Sequence, residues 1–472
     1  ETIDNDNFST YRRYFLSNSI DYLFAGGEQE KNNDGTAWKR ARLNYFGRFG
    51  YNYKSKYIAE FLWRYDGSYM FPESERFGFF PGAMAGWVVS EENFWKENIP
   101  VINYFKIRAS YGQMGNDNIY WEDKLQEYQY FSTYSFGTYI VDDKLAKTLF
   151  ESRVPNEMVT WEVGNNYNLG FDFQFLQGKL NLEFDLFKNR RNSILWRKNA
   201  SVPQSTGMTL PAENIGKVDN KGWEFNLGYK GKAGGLGYTV GVNGGYAKNK
   251  IIFWDEAPGA PAWQQSTGKP IKTDIYYIYD GVFSDVNDIN NDKLDYSAIV
   301  GAEKRKNGDL RPGDMRYKDV NGDGKITPDD KVRRDKNSDP TFQGGFNFSL
   351  SYKDFDLSVL FQGATGGEIR VGTDESGSIG NFLEEFYDKR WSITNPSSVY
   401  PRLTDRSNQY YSYNNTYWMR STDYLRLKNV ELGYNLPSTI CDKIGIGSLR
   451  VYANGMNLIT WSKIKMYDPG AV

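Results

Sequence analysis

The chain has 472 residues, 57 Lys and Arg against 59 Asp and Glu, and a hydrophobic fraction of 39%. A net charge of −2 leaves no basic excess to draw nucleic acid, which excludes that partner class. With no His and Cys441 alone, the chain cannot build a Ser-His-Asp or Cys-His triad, a His-ligated zinc or haem site, or an internal disulfide.

No apolar run is long enough for a transmembrane helix, yet a membrane is not excluded. A transmembrane barrel alternates polar and apolar residues and can carry a mean hydropathy of −0.66. The 36 Tyr, 30 Phe and 13 Trp, with 47 Gly and only 16 Pro, favour an all-β chain.

In chain order, a weak strand is expected near 11–24. A hairpin follows: Leu43, Tyr45, Phe49, Tyr51 and Tyr53, a turn at Lys54-Ser55-Lys56, then Tyr57, Ala59, Phe61, Trp63 and Tyr65. Phe105, Ile107, Ala109 and Tyr111 alternate with Lys106, Arg108 and Ser110. The clearest hairpin spans 166–187. Tyr167, Leu169, Phe171, Phe173 and Phe175 precede the turn 176–179, and Leu180, Leu182, Phe184 and Leu186 follow it. Trp223, Phe225, Leu227 and Tyr229 turn through 231–235 into Tyr238, Val240 and Val242. Phe346, Phe348, Leu350 and Tyr352 turn at Lys353-Asp354 into Phe355, Leu357, Val359 and Phe361. Period two over about ten residues per arm means one apolar and one polar face.

Short turns alternate with long connections at 67–76, 116–159, 196–221, 250–340 and 364–416. A meander through a bilayer keeps that parity, with tight turns on one side and long extracellular loops on the other. A soluble sandwich with crossovers has no reason to keep it. The expected fold is therefore an antiparallel transmembrane β-barrel of about a dozen strands, in one unit over 1–472. The last readable strand, near 448–460, ends on the long-loop side. A fragment lacking part of the front and a final strand is the expectation.

Several runs then become recognisable: Arg64-Tyr65-Asp66-Gly67-Ser68, Ile107-Arg108-Ala109-Ser110-Tyr111-Gly112, Tyr424 to Val430, Leu432-Gly433-Tyr434-Asn435-Leu436-Pro437, and Val451 to Leu458. Taken in order across the chain, they resemble the C-terminal part of the barrel of SusC/RagA-type TonB-dependent outer-membrane transporters of Bacteroidetes. That resemblance implies a barrel of about 22 strands with a plugged lumen. It further implies a SusD-like surface lipoprotein as lid, energy coupling through TonB, and oligosaccharide or peptide substrates too large for porins. Outer-membrane lipid would surround the barrel. No plug, TonB box or final strand is recognisable here. The rival reading is a soluble secreted glycan-binding or glycan-hydrolysing β-protein.

Within the longest connection, 250–340, the run 319–330 fits a calcium loop, D-x-[DN]-x-[DN]-G. Asp319, Asn321 and Asp323 fall at positions one, three and five. Gly324 permits the turn at six, the Lys325 carbonyl stands at seven, and Asp330 closes the loop at twelve. Calcium, in a structural role, is the expected ion. The bland reading is a chain of Asn-Gly and Asp-Gly turns.

Tyr410, Tyr411, Tyr413 and Trp418 lie in or beside a long loop and are the candidate substrate-stacking residues, Trp418 being equally suited to an interface girdle. The carboxylate pairs Asp172/Asp185 and Glu183/Glu224 are expected to line a wet lumen rather than act as acid and base. Arg190, Arg191 and Arg197 are expected on a solvated loop face. No catalytic constellation emerges, so an enzyme is not expected.

Overall fold

The computed structural model describes residues 1–15, 19–20, 22–121, 124–125, 127–141, 143–198, 211–300, 310–371, 384–396, 399–403, 415–465 and 468–470. Thirteen strands form one sheet. The first five are β1 (Thr2–Tyr11), β2 (Asn32–Tyr53), β3 (Tyr57–Ser68), β4 (Phe77–Val88) and β5 (Ile102–Asn116). Next come β6 (Glu162–Phe175), β7 (Leu180–Arg197), β8 (Ala212–Ala233) and β9 (Leu236–Phe253). The last four are β10 (Phe342–Tyr352), β11 (Phe355–Thr365), β12 (Tyr424–Asn435) and β13 (Arg450–Ser462). The spatial order is the chain order, with β1 and β13 at the edges and antiparallel pairing throughout.

The turns work without crossover because their backbones match the strand twist. Lys54 and Ser55 (φ 53° and 56°) and Leu176 and Gln177 (φ 52° and 59°) take the double left-handed conformation of a tight hairpin, although none is glycine. The Asn52 side chain accepts a hydrogen bond from the Ser55 N–H at 2.9 Å and helps hold the first of these.

Register carries one apolar face across the whole sheet, since directly paired residues share a face. Phe49 stands opposite Phe61, Tyr65 opposite Phe79, and Ile107 opposite Phe171. The row continues through Phe184, Phe225, Phe346 and Phe361 to Leu432 and Ala453. The other face carries Arg64, Arg108, Asp172, Asp185, Glu224 and Asn243.

Among the described residues, nothing is stacked on the apolar face. Phe49 is 68% exposed and Leu432 53%. The total accessible surface is 30130 Å², where a compact soluble chain of this mass exposes about 18,000 Å². A face of that extent must meet hydrocarbon rather than water. The sandwich alternative fails here, since it needs those rings between two sheets.

The buried clusters lie instead at the loop end. Met70, Phe71, Phe80 and Trp161 pack with Ile119, Val159, Leu195 and Ala212. The fit is close: a Cβ at Gly115 would come within 2.1 Å of the Phe80 ring.

Two boundary expectations need correction. The first strand is Thr2–Tyr11, not 11–24, and β2 begins eleven residues before the alternation does. Likewise β7 runs on to Arg197 and β8 starts at Ala212, inside the connection expected over 196–221. These extensions pair through backbone bonds above the apolar band, where no alternation is required.

Phe171 sits near the middle of the apolar row of β6. In the full-length protein, Phe171→Arg is expected to destabilise the barrel by about 2–4 kcal/mol in denaturant titrations from liposomes. Asn168→Arg, on the opposite face, should cost under about 0.5 kcal/mol. Equal costs at the two positions would contradict the assignment of faces.

Candidate functional site

The long connections fold against one another into a cap. Ile275–Tyr277 pairs with Lys331–Arg333, Tyr279–Val282 with Met315–Tyr317, and Glu368–Arg370 with Met419–Ser421. Their shared core contains Tyr277, Phe283, Tyr296, Met315, Tyr317 and Ile326, all at most 1% exposed, with Phe386, Tyr417 and Trp418 beside them. Burial raises the Tyr296 and Tyr317 hydroxyls well above their ordinary values, so both stay neutral donors.

Asn415 ties the two loops together. It is fully buried, accepts from the Tyr417 N–H at 3.0 Å and donates to the Tyr317 hydroxyl at 3.3 Å. Trp418 stands in this core, 8% exposed, with its ring 5.4 Å from Phe386 and 4.7 Å from Tyr417. It is therefore neither an open stacking platform nor a girdle residue in this arrangement. Burial of an indole among aromatic neighbours outweighs the position in a polar loop from which it was read. Tyr410, Tyr411 and Tyr413 lie outside the described residues.

The aspartate loop closes on its own backbone. The Asp319 carboxylate accepts from the Gly322 and Gly324 N–H groups at 2.7 and 2.9 Å, and Asp323 accepts from the Lys325 N–H at 2.8 Å. The Asn321 side-chain oxygen accepts from the Asp323 N–H at 3.0 Å. Gly322 and Gly324 take φ of 76° and 79°, the left-handed region that glycine favours. Asp330 is fully buried; its two oxygens accept from the Val320 and Thr327 N–H groups at 2.8 and 2.7 Å. It also completes a capping box with Thr327 on the turn Pro328–Asp330. Ile326 anchors the loop in the cap core, its N–H bonding to the Asp295 carbonyl at 2.8 Å.

Among the described residues, no three His, Cys, Asp or Glu side chains converge as a metal-ligand group. The donor set of the loop is nonetheless one of hard oxygens, each carboxylate oxygen retaining lone-pair capacity beyond its N–H partner.

The inner wall explains the carboxylate pairs. Arg108 donates to both Asp172 and Asp185 at 2.9 Å, and Lys106 approaches Asp172 at 3.9 Å. One guanidinium is shared between the two carboxylates, so both are engaged in ion pairs across the strands. Glu224 and Asn243 help line a cavity of about 750 Å³ that also touches Gln343 and Gln362. Arg190 departs from expectation: it sits within β7, not in a loop, and is bidentate with Asp219 at 2.6 and 2.7 Å. Backbone pairing continues past the last apolar residue of that strand's alternating run.

The cap core itself was not read from the sequence. Its signal is the aromatic recurrence Tyr276, Tyr277, Tyr279, Phe283, Tyr296 and Tyr317 inside a polar connection, without period two or 3.6. Asn415→Ala leaves the Tyr317 hydroxyl and Tyr417 N–H short of a partner, a loss of about 1–3 kcal/mol. Limited proteolysis of the full-length protein should then cut within 275–333 faster while the barrel stays resistant. Unchanged cleavage would remove Asn415 as the tie between the loops.

No family model matches the chain. It is 29% identical to TonB-dependent receptor P3 of Formosa agariphila, over all of this chain and 46% of that protein. It is 26% identical to TonB-dependent receptor SusC of Bacteroides thetaiotaomicron, over 92% of this chain and 42% of that protein. The chain thus spans less than half the length of these relatives. The fold matches the RagAB peptide transporter with a TM-score of 0.72 at 21% identity, over all of this chain and 50% of that one. The RagAB peptide importer in its open-open state matches with a TM-score of 0.74 at 20% identity, over all of this chain and 49% of that one. In sequence the chain is similar to TonB-dependent receptors, SusC among them, and in fold to the RagAB transporter, and its sheet is part of an outer-membrane β-barrel.

Proposed function

We propose that the full-length protein imports nutrient oligomers across the outer membrane, driven through TonB and lidded by a SusD-like surface lipoprotein. The observation that carries this reading is the two-faced sheet: an unbroken apolar outer row, an inner wall of fixed charges and amides, and a folded cap at one rim. A wall of that kind offers a polar solute a route that hydrocarbon denies it. The names of the relatives support TonB coupling, and the likeness in fold to RagAB, a peptide importer, favours peptides over glycans. No covalent step is asked of these residues, which agrees with Asp172 and Asp185 both being bound by one arginine.

Cells lacking the gene are expected to lose uptake of the cognate oligomer while still taking up its monomer. A protonophore should abolish uptake in the parent. Uptake that survives the protonophore would mean a passive pore and would end this reading.

We further propose that the aspartate loop holds calcium through Asp319, Asn321, Asp323, the Lys325 carbonyl and Asp330. The bound ion would supply a positive centre that stiffens the loop against the cap. An isolated loop of this kind binds with a Kd of about 10⁻⁴–10⁻³ M. At about 10 mM calcium that corresponds to about 1.4–2.7 kcal/mol of local stabilisation. Calcium should slow proteolysis within the cap of the full-length protein, and Asp319→Ala with Asp323→Ala should remove the effect. Protection that persists in the double variant would dismiss the site.

A further inference from the structure

A second cavity, of about 790 Å³, lies at the cap end of β7, β8 and β9. Its walls include Ile194, Ile215, Ile251 and Phe253 with the ring pair Trp196 and Trp254, whose centroids are 3.9 Å apart. Ile251 shares a face with Asn249 and Gly245, so it points to the inner side of the sheet. The segment after β9 folds back beside it. The Gly268 N–H donates to the Ile251 carbonyl at 2.8 Å, the Lys269 carbonyl accepts from the Ile251 N–H at 2.9 Å, and the Ile271 N–H donates to the Asn249 side chain at 2.8 Å.

The charge on this lining is lopsided. Arg191, Lys217, Lys272 and Arg333 face two carboxylates, Asp255 and Asp274. Arg333 is half-buried, yet it donates to neutral carbonyls, to Gln264 at 2.8 Å and to Thr273, and makes no ion pair among the described residues. Burial lowers its pKa from the ordinary value, with Glu256 and Asp274 opposing that shift. A desolvated cation bonded only to carbonyls gains more from an incoming anion than an exposed one does.

We infer that this cavity is a subsite for an imported peptide, taking an aliphatic or aromatic side chain next to a carboxylate. The inference rests on the import reading above. The aliphatic part of the wall fits an apolar side chain, and the arginine that makes no ion pair among the described residues fits its acidic neighbour. A sugar ring would need an open aromatic face, whereas the two indoles pack against each other. Nothing in the alternation of the sequence marked this place, because Trp196 and Trp254 are 58 positions apart and meet only through the register of three strands.

The test uses the full-length transporter in detergent and fluorescein-labelled Gly/Ser octapeptides carrying a central Leu-Glu, Leu-Gln or Ser-Glu. Leu-Glu should bind about tenfold tighter than either partner, as burial of one leucine or one charged contact predicts. Ser266→Trp, at a 6% exposed lining position, fills the cavity and should erase the leucine preference. Arg333→Gln should erase the glutamate preference. Lys272→Gln, at an exposed turn, should weaken Leu-Glu binding about threefold and spare Leu-Gln. Heat-dependent mobility in SDS confirms that each variant keeps its barrel, and should Ser266→Trp lose it, Lys272→Gln carries the test. Equal affinity for the three peptides would overturn the subsite. So would a galacturonate hexasaccharide that displaces Leu-Glu from the parent and fails to bind Ser266→Trp. Uptake by cells is scored separately: protonophore-sensitive import with no peptide preference here removes the subsite and leaves the transport reading standing.

Discussion

In hydrocarbon no water is available to a peptide group, so each N–H and C=O that crosses a bilayer must find a partner within the protein. For a chain whose apolar residues recur at every second position, a helix cannot bring them to one side, and an antiparallel sheet can. Sequential pairing from β1 to β13 follows, because each strand finds its nearest partner across a short turn or a loop that returns to the same edge. Register then does the rest. A slip of one residue would put Phe171 inward and Asp172 into lipid, so the pairing that satisfies the backbone also sorts the side chains.

This arrangement inverts the usual division between core and surface. The large rings of the strands stay exposed on the sheet, and the buried cores belong to the loops, around Tyr277 and Tyr317 on one side and Phe71 and Trp161 on another. Solvent outside the membrane makes that sensible: only there does the hydrophobic effect collect apolar side chains into a packed body. The aspartate loop sits in the cap by way of Ile326 and Asp295.

The inner wall shows the opposite economy. Its charges are paired laterally, Arg108 with two aspartates and Arg450 with Asp356 and Glu431. In both networks carboxylates outnumber the arginine that binds them. The cavity around Trp196 and Arg333 reverses that ratio, with cations outnumbering carboxylates beside a wall of aliphatic and aromatic side chains. Such a departure is where selectivity is most readily placed.

Alternation marked the main hairpins, their two faces and about a dozen strands, because a period of two is a local property that each arm states for itself; it misplaced the first strand, Thr2–Tyr11, which carries no such period. The likeness of Ile107 to Gly112 and of Tyr424 to Pro437 to the SusC/RagA pattern was equally legible. Only the tertiary structure decided where strands end, since residues such as Arg190 pair through their backbones with no hydrophobic signal. It alone showed Trp418 buried and Arg108 shared between Asp172 and Asp185. Those facts depend on which distant segments meet, and what brings them together is desolvation and hydrogen-bond geometry between residues that carry no common period.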